Sequence, residues 1–140
     1  MEIDYCVVKD AAEHSKEMEE TITREANQRP IIVFVNKKNQ VGKLKTLCAT
    51  LDIPFFSATS DTEMATTLGV IGNLERGLVA ALDSYGRGID IRFKVDSFVL
   101  IGFLPERLEA VKQMSGRSSR TMKKHFSKLV CIDKLLLSGR

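Results

Sequence analysis

The sequence predicts an α/β domain with a mainly parallel central sheet and helices on both faces. Three observations carry this expectation. Short β-branched runs alternate with amphipathic stretches along the whole chain, the pattern of successive βαβ units. One run, Ile31 to Val35, is apolar at every position, as in a strand covered on both faces rather than one. The chain has 140 residues, 44% hydrophobic and 28% charged, enough for one domain with a real core and too short for two comfortable ones.

Taken in order, "DYCVVKD" reads as a short strand and "AAEHSKEMEETITREANQ" as a polar helix with a sparse apolar set at Ala11, Met18, Ile22 and Ala26. "RPIIVFVNKK" is the clearest strand. "NQVGKLKTLCATLD" is a helix with Val41, Leu44, Leu47, Cys48 and Leu51 on one stripe. "IPFFSATS" is a strand running into a turn that holds Ser57, Thr59 and Ser60. "DTEMATTLGVIGNL" opens with a helix start signal. "GLVAALDS" is a second buried strand, "YGRGIDI" a glycine-punctuated loop, and "DSFVLIGF" a third central strand. "LPERLEAVKQMSG" is a helix with Pro105 in its first turn and Gly116 as its stop. "FSKLVCID" is the last strand. In such a sheet the functional loops follow the carboxyl ends of the strands, which selects "NKKNQ", "SATSD", "DSYGRGID" and "GFLPER".

Composition narrows the function classes. No apolar run approaches the roughly 20 residues that span a bilayer. The N-terminus lacks a basic segment followed by an apolar one, so no signal peptide is expected. Cys6, Cys48 and Cys131 are widely separated, with neither a C-x-x-C nor a histidine cluster beside them. They read as reduced, mostly buried thiols of an intracellular compartment, cytoplasm or nucleus, with no metal site. The net charge of +3 is unevenly spread. Residues 1–28 hold eight acids against three bases, and residues 111–140 hold eight bases against one acid. Lys123, Lys124 and Lys128 are expected on a solvated basic face, and the C-terminal part offers an electropositive surface to an anion.

A phosphate loop is absent. "NKKNQVGKLKT" contains Gly42-Lys43, but Leu44 stands where a hydroxyl must hold magnesium, and Lys37 where an earlier glycine must let the backbone wrap a phosphate. Arginines stand in suitable places instead. Arg87 lies between two glycines in "YGRGIDI", and Arg117 and Arg120 follow a helix in "KQMSGRSSR". Guanidinium groups bind phosphate through two parallel hydrogen bonds.

These residues carry a resemblance. "KQMSGRSSR" resembles the Q-x-x-G-R-x-x-R motif VI of superfamily-2 helicases and translocases. "VAALDSYGRGIDI" resembles their motif V, and "RPIIVFVNKKNQVGKL" the strand and helix start of their motif IV, all in the family's order and near its spacing. The resemblance covers nearly the whole chain as the second, C-terminal RecA-like domain of such an enzyme, a three-layer sandwich taken from a longer protein. It implies that Arg117 and Arg120 reach a triphosphate on the partner domain as arginine fingers. Gln113, Arg87, Gly88 and Asp90 would then line the nucleotide side, and Asn36, Lys37 and Ser84 would face the translocated polymer. It further implies ATP and Mg2+ held mainly by an N-terminal RecA-like domain absent from these residues, RNA or DNA as polymer, and no hydrolysis by this domain alone. The sequence departs from the pattern at three places. Leu82-Asp83-Ser84 stands where motif V usually opens with threonine, Ser115 replaces a basic residue of motif VI, and Ser119 its second glycine. Two other readings stay open: a domain of the SecA-like polypeptide translocases, which the motif spacing also resembles, and a non-catalytic remnant serving as a binding module.

Overall fold

A computed structural model describes residues 4–58, 70–82, 93–103 and 125–132. Six strands form one sheet: β1 (Asp4–Val8), β2 (Pro30–Val35), β3 (Phe55–Ala58), β4 (Gly77–Leu82), β5 (Ser97–Ile101) and β6 (His125–Ile132). The helices among the described residues that span more than a turn are α1 (Ala11–Glu25) and α2 (Asn39–Leu51). The strand order is β1-β6-β5-β2-β4-β3, and every neighbouring pair is parallel. The predicted α/β class and parallel sheet are therefore observed.

β2 lies inside the sheet, and all six of its residues are buried. Ile31, Val33 and Val35 pack with Ile22 of α1, with Ala26 just after it, and with Leu44 and Cys48 of α2. Ile32 and Phe34 pack on the opposite side with Val79, Val99, Ile71 and Phe93. The period-2 geometry of a strand splits one continuous apolar run between two cores. Each fully buried side chain of this size stabilises the fold by about 1.5–3 kcal/mol, so β2 holds both layers to the sheet.

The N-terminus of α1 forms as its local chemistry dictates. Asp10 stays extended and its carboxylate accepts from the backbone N–H of Glu13 at 2.9 Å. The Glu13 carboxylate reaches back to the backbone N–H of Lys9 at 3.1 Å. Two otherwise unpaired donors are satisfied reciprocally. The helix ends at Glu25, three residues before the sequence reading had it. Ile22 and Ala26 are buried as expected, whereas Ala11 is exposed in the first turn. At the far end of α2, Asp52 closes the helix in the left-handed conformation at φ 57°. Ser57 belongs to β3 rather than to the turn after it.

One expectation is overturned. Lys128 lies on no solvated face; it is 8% exposed. Its ammonium donates to Glu17 Oε2 at 3.3 Å and to Thr21 Oγ1 at 3.1 Å, both on α1. The cause is strand alternation: Val130 and Ile132 of β6 pack on the α1 side, and Lys128 shares their parity. Cys6 of β1 completes the group, its thiol donating to Glu17 Oε1 at 3.3 Å. Burial, then this hydrogen bond to a carboxylate, pushes the Cys6 thiol above its ordinary value. The hydrogen bonds from Cys6 and Lys128 hold the Glu17 carboxyl below its own. Cys48 is buried outright, which raises its thiol to about 11. None of the three cysteines is in a disulfide.

Candidate functional site

Because all six strands are parallel, their carboxyl ends share one edge of the sheet. β2 ends there at Val35, and the chain turns through Asn36, Lys37 and Lys38 into α2. All three residues are exposed. The turn is held locally: the Asn36 backbone N–H donates to Gln40 Oε1 at 3.3 Å, and the backbone N–H groups of Gln40 and Val41 donate to the Lys37 and Lys38 carbonyl oxygens at 3.2 and 3.0 Å. The first turn of α2 carries no acid, and Lys38 at its start makes no capping hydrogen bond through its side chain. The positive end of the helix dipole and the neighbouring lysines thus act in the same direction, toward an anion. Two of the sequence-derived site residues, Asn36 and Lys37, are placed together here.

The other candidates, Ser84, Arg87, Gly88, Asp90, Gln113, Arg117 and Arg120, lie outside the described residues, as do Lys123 and Lys124. Their points of attachment are described. β4 pairs with one side of β2 in the register Val35↔Leu82, and β5 with the other in the register Phe34↔Ile101. Segment 83–92 therefore leaves the sheet one strand to one side of Asn36. The chain that leads to 104–124 leaves one strand to the other side. Two strand spacings are about 10 Å, so three chain segments start from one small area of the edge.

Gly42 and Lys43 lie inside α2. Sequence reasoning missed a cleft of about 640 Å³ between α1 and α2, reaching the carboxyl edge at Gly102. There His14 Nε2 bonds to the Gly102 carbonyl oxygen at 2.7 Å, tying α1 to the end of β5. Gly102 lets the helix approach closely, since a Cβ there would meet Met18 Cε at 2.7 Å. The one visible signal was a glycine near the start of an otherwise regular amphipathic helix. Among the described residues, no three His, Cys, Asp or Glu side chains converge as a metal site. No described helix is long and apolar enough to cross a membrane.

Comparison with known proteins is informative at the level of the fold. No protein-family profile matches the chain, and no curated protein sequence does. Solved structures do. The Escherichia coli DEAD-box protein SrmB, seen bound to the regulator of ribonuclease activity RraA, aligns with a TM-score of 0.75 at 21% identity, over 99% of this chain and 84% of that one. Domain 2 of the DEAD-box helicase Mss116p, bound to an RNA duplex, aligns with a TM-score of 0.71 at 18% identity, over 97% and 56%. The C-terminal part of the Fun30 ATPase domain aligns with a TM-score of 0.66 at 12% identity, over 85% and 40%. The chain has a RecA-like α/β fold, which it shares with these helicase and ATPase domains.

Proposed function

We propose that this chain is the second motor domain of an ATP-dependent superfamily-2 helicase or translocase acting on nucleic acid. On closure against an N-terminal RecA-like partner domain, it supplies Arg117 and Arg120 to ATP held there with Mg2+. The observation that carries this reading is the shared origin of three segments at one sheet edge. The turn at Asn36, the segment with Ser84, Arg87, Gly88 and Asp90, and the segment with Gln113, Arg117 and Arg120 start from β2 and its two neighbours. Their motif resemblances occur in family order on a chain with the family's fold. Mss116p domain 2 is bound to an RNA duplex, which favours RNA as the polymer.

In this reading the domain contributes two things. Asn36, Lys37 and Ser84 hold the sugar-phosphate backbone, where lysine and backbone N–H groups neutralise charge without reading sequence. Arg117 and Arg120 stabilise the charge that develops on the transferring phosphoryl group, and Gln113, Arg87, Gly88 and Asp90 align the two functions. Lacking a phosphate loop, the domain alone is inactive. The departures Asp83, Ser115 and Ser119 favour one rival, a module that keeps the fold and has lost hydrolysis.

The deciding experiment is RNA-stimulated ATP hydrolysis by the full-length protein or by the reconstituted domain pair. Arginine fingers are worth about 10³–10⁵ in rate where measured, so Arg117→Ala and Arg120→Ala are expected to lower kcat by at least 10² with little change in RNA affinity. Unchanged kcat in both variants defeats the finger role. No hydrolysis by the unaltered protein, with RNA binding retained, supports the remnant. Steep loss of RNA affinity with salt identifies a nucleic-acid polymer, and preference for an unfolded polypeptide identifies the SecA-like alternative.

A further inference from the structure

The cleft between α1 and α2 is unused by the motor-domain reading, and three of its properties bear on what it takes. Its walls are apolar at the bottom, with Met18 and Ile22 from α1 and Leu44 and Leu47 from α2. Its volume, about 640 Å³, lies within the range of ligand pockets and is large enough for two bulky side chains. Its rims carry opposite charge. α1 presents Glu19 to the cleft and bears five acids against two bases, Lys16 and Arg24, with Glu17 turned to Lys128 on the sheet; α2 presents Lys43 and bears Lys45 and no acid, following Lys37 and Lys38. Between Glu25 and Asp52 the chain has no acidic residue.

The third property is Gly42. A glycine inside a helix costs about 1 kcal/mol relative to alanine. Here it wins nothing from tight packing, because a Cβ at Gly42 would meet no atom within 4 Å. Gly42 lines the cleft, and its missing side chain leaves the α2 backbone open to close approach from the cleft side.

We propose that this cleft is a docking site for an amphipathic helix of a partner protein. Its large apolar side chains seat on Met18, Leu44 and Leu47, its acidic flank lies along Lys43, its basic flank lies along Glu19, and its backbone closes on Gly42. Charge complementarity selects this occupant over nucleic acid, whose uniformly negative backbone answers Lys43 but not Glu19. Apolar anchors in a groove with a polar rim are the usual terms of helix-in-groove recognition. The inference does not depend on Arg117, Arg120 or any other motif residue.

The test uses the 140-residue chain and three labelled 15-residue helical peptides with leucines at the same i, i+4, i+7 positions. One has glutamate on one flank and lysine on the other; the second has glutamate on both flanks and the third lysine on both. Binding is read by fluorescence anisotropy, and its location by the NMR signal of the Met18 methyl. The mixed peptide is expected to bind at least 10-fold more tightly than either uniformly charged one and to shift the Met18 methyl. Leu47→Glu removes this binding. Gly42→Leu, which removes a helix-interior glycine into open space, raises the unfolding midpoint or leaves it unchanged and weakens the peptide at least 10-fold. Equal binding of the three peptides, or no binding of the mixed one, overturns the proposal. So does a Gly42→Leu variant that binds normally, or a single-stranded RNA 10-mer that competes for the Met18 shift more tightly than the peptide.

Discussion

The two edges of the sheet are built on opposite principles. At the amino-terminal edge the backbone is locked. Gly77, at φ 130°, donates its N–H to the Ala26 carbonyl oxygen at 3.0 Å. Leu78 bonds to Pro54 O at 2.9 Å, and Arg76 clamps Asn27 Oδ1 at 3.1 Å and the Asp52 carbonyl at 2.8 Å. At the carboxyl edge the turn at Asn36 is exposed, held by hydrogen bonds among residues 36–41, and lined by lysines. Cross-element hydrogen bonds close the amino-terminal edge around Gly77, whereas the turn after β2 is exposed and carries solvated positive charge. Stability and function should therefore separate by edge.

The largest effect is expected at Gly77. A Cβ there would stand 2.9 Å from Pro54 O and 3.1 Å from Pro54 Cβ, in a φ region that L side chains rarely adopt. Gly77→Ala should cost about 3 kcal/mol, read as a fall in the urea midpoint, with polymer binding by the surviving folded fraction unchanged.

Next comes the buried polar group beside α1. Glu17→Ala leaves the Lys128 ammonium buried with Thr21 alone, at a cost of about 2 kcal/mol. Lys128→Met fills similar volume and leaves only a half-exposed carboxylate, so it should cost less. The same group makes stability pH-dependent. The folded Glu17 carboxyl is held below its ordinary value, first by the Cys6 hydrogen bond and then by Lys128. Its contribution is fully present above its unfolded value and lost as pH falls through the folded one. The gap in urea midpoint between the unaltered chain and Glu17→Gln should accordingly shrink from pH 6 toward pH 3; a constant gap would remove the linkage.

Smaller again is Arg76→Ala, which gives up two charge-assisted hydrogen bonds at a partly exposed site, about 1 kcal/mol in chemical denaturation. Smallest for stability is Lys37→Ala, expected within about 0.5 kcal/mol of the unaltered chain while lowering RNA affinity and reducing the salt slope by about one counterion. A destabilised Lys37→Ala, or a Gly77→Ala that loses polymer binding in the folded state, would break the division between the edges.

Much of this was legible in the chain. All six strands stand out as short apolar runs, because a strand buried on one or both faces must be apolar at adjacent or alternate positions. The stripe on α2 was equally clear, since Leu44 and Cys48 repeat at helical spacing and are both buried. Lys128 was misread because charge outweighed parity: it sits in a basic region of sequence, but two residues ahead of Val130 on the same strand face. The cleft left only a trace at Gly42, because a gap between two helices belongs to neither helix's own pattern.

By itself the sequence determined the six strands and the two helices α1 and α2, consequences of local periodicity and turn chemistry, while the helices read in "DTEMATTLGVIGNL" and "LPERLEAVKQMSG" fall largely or wholly outside the described residues. Only the tertiary structure decided that β4 and β5 flank β2, that Glu17 and Lys128, 111 residues apart, form a part-buried pair, and that α1 and α2 leave a cleft between Glu19 and Lys43. Strand order and helix spacing depend on which distant surfaces bury each other best, and that competition is settled in three dimensions rather than along the chain.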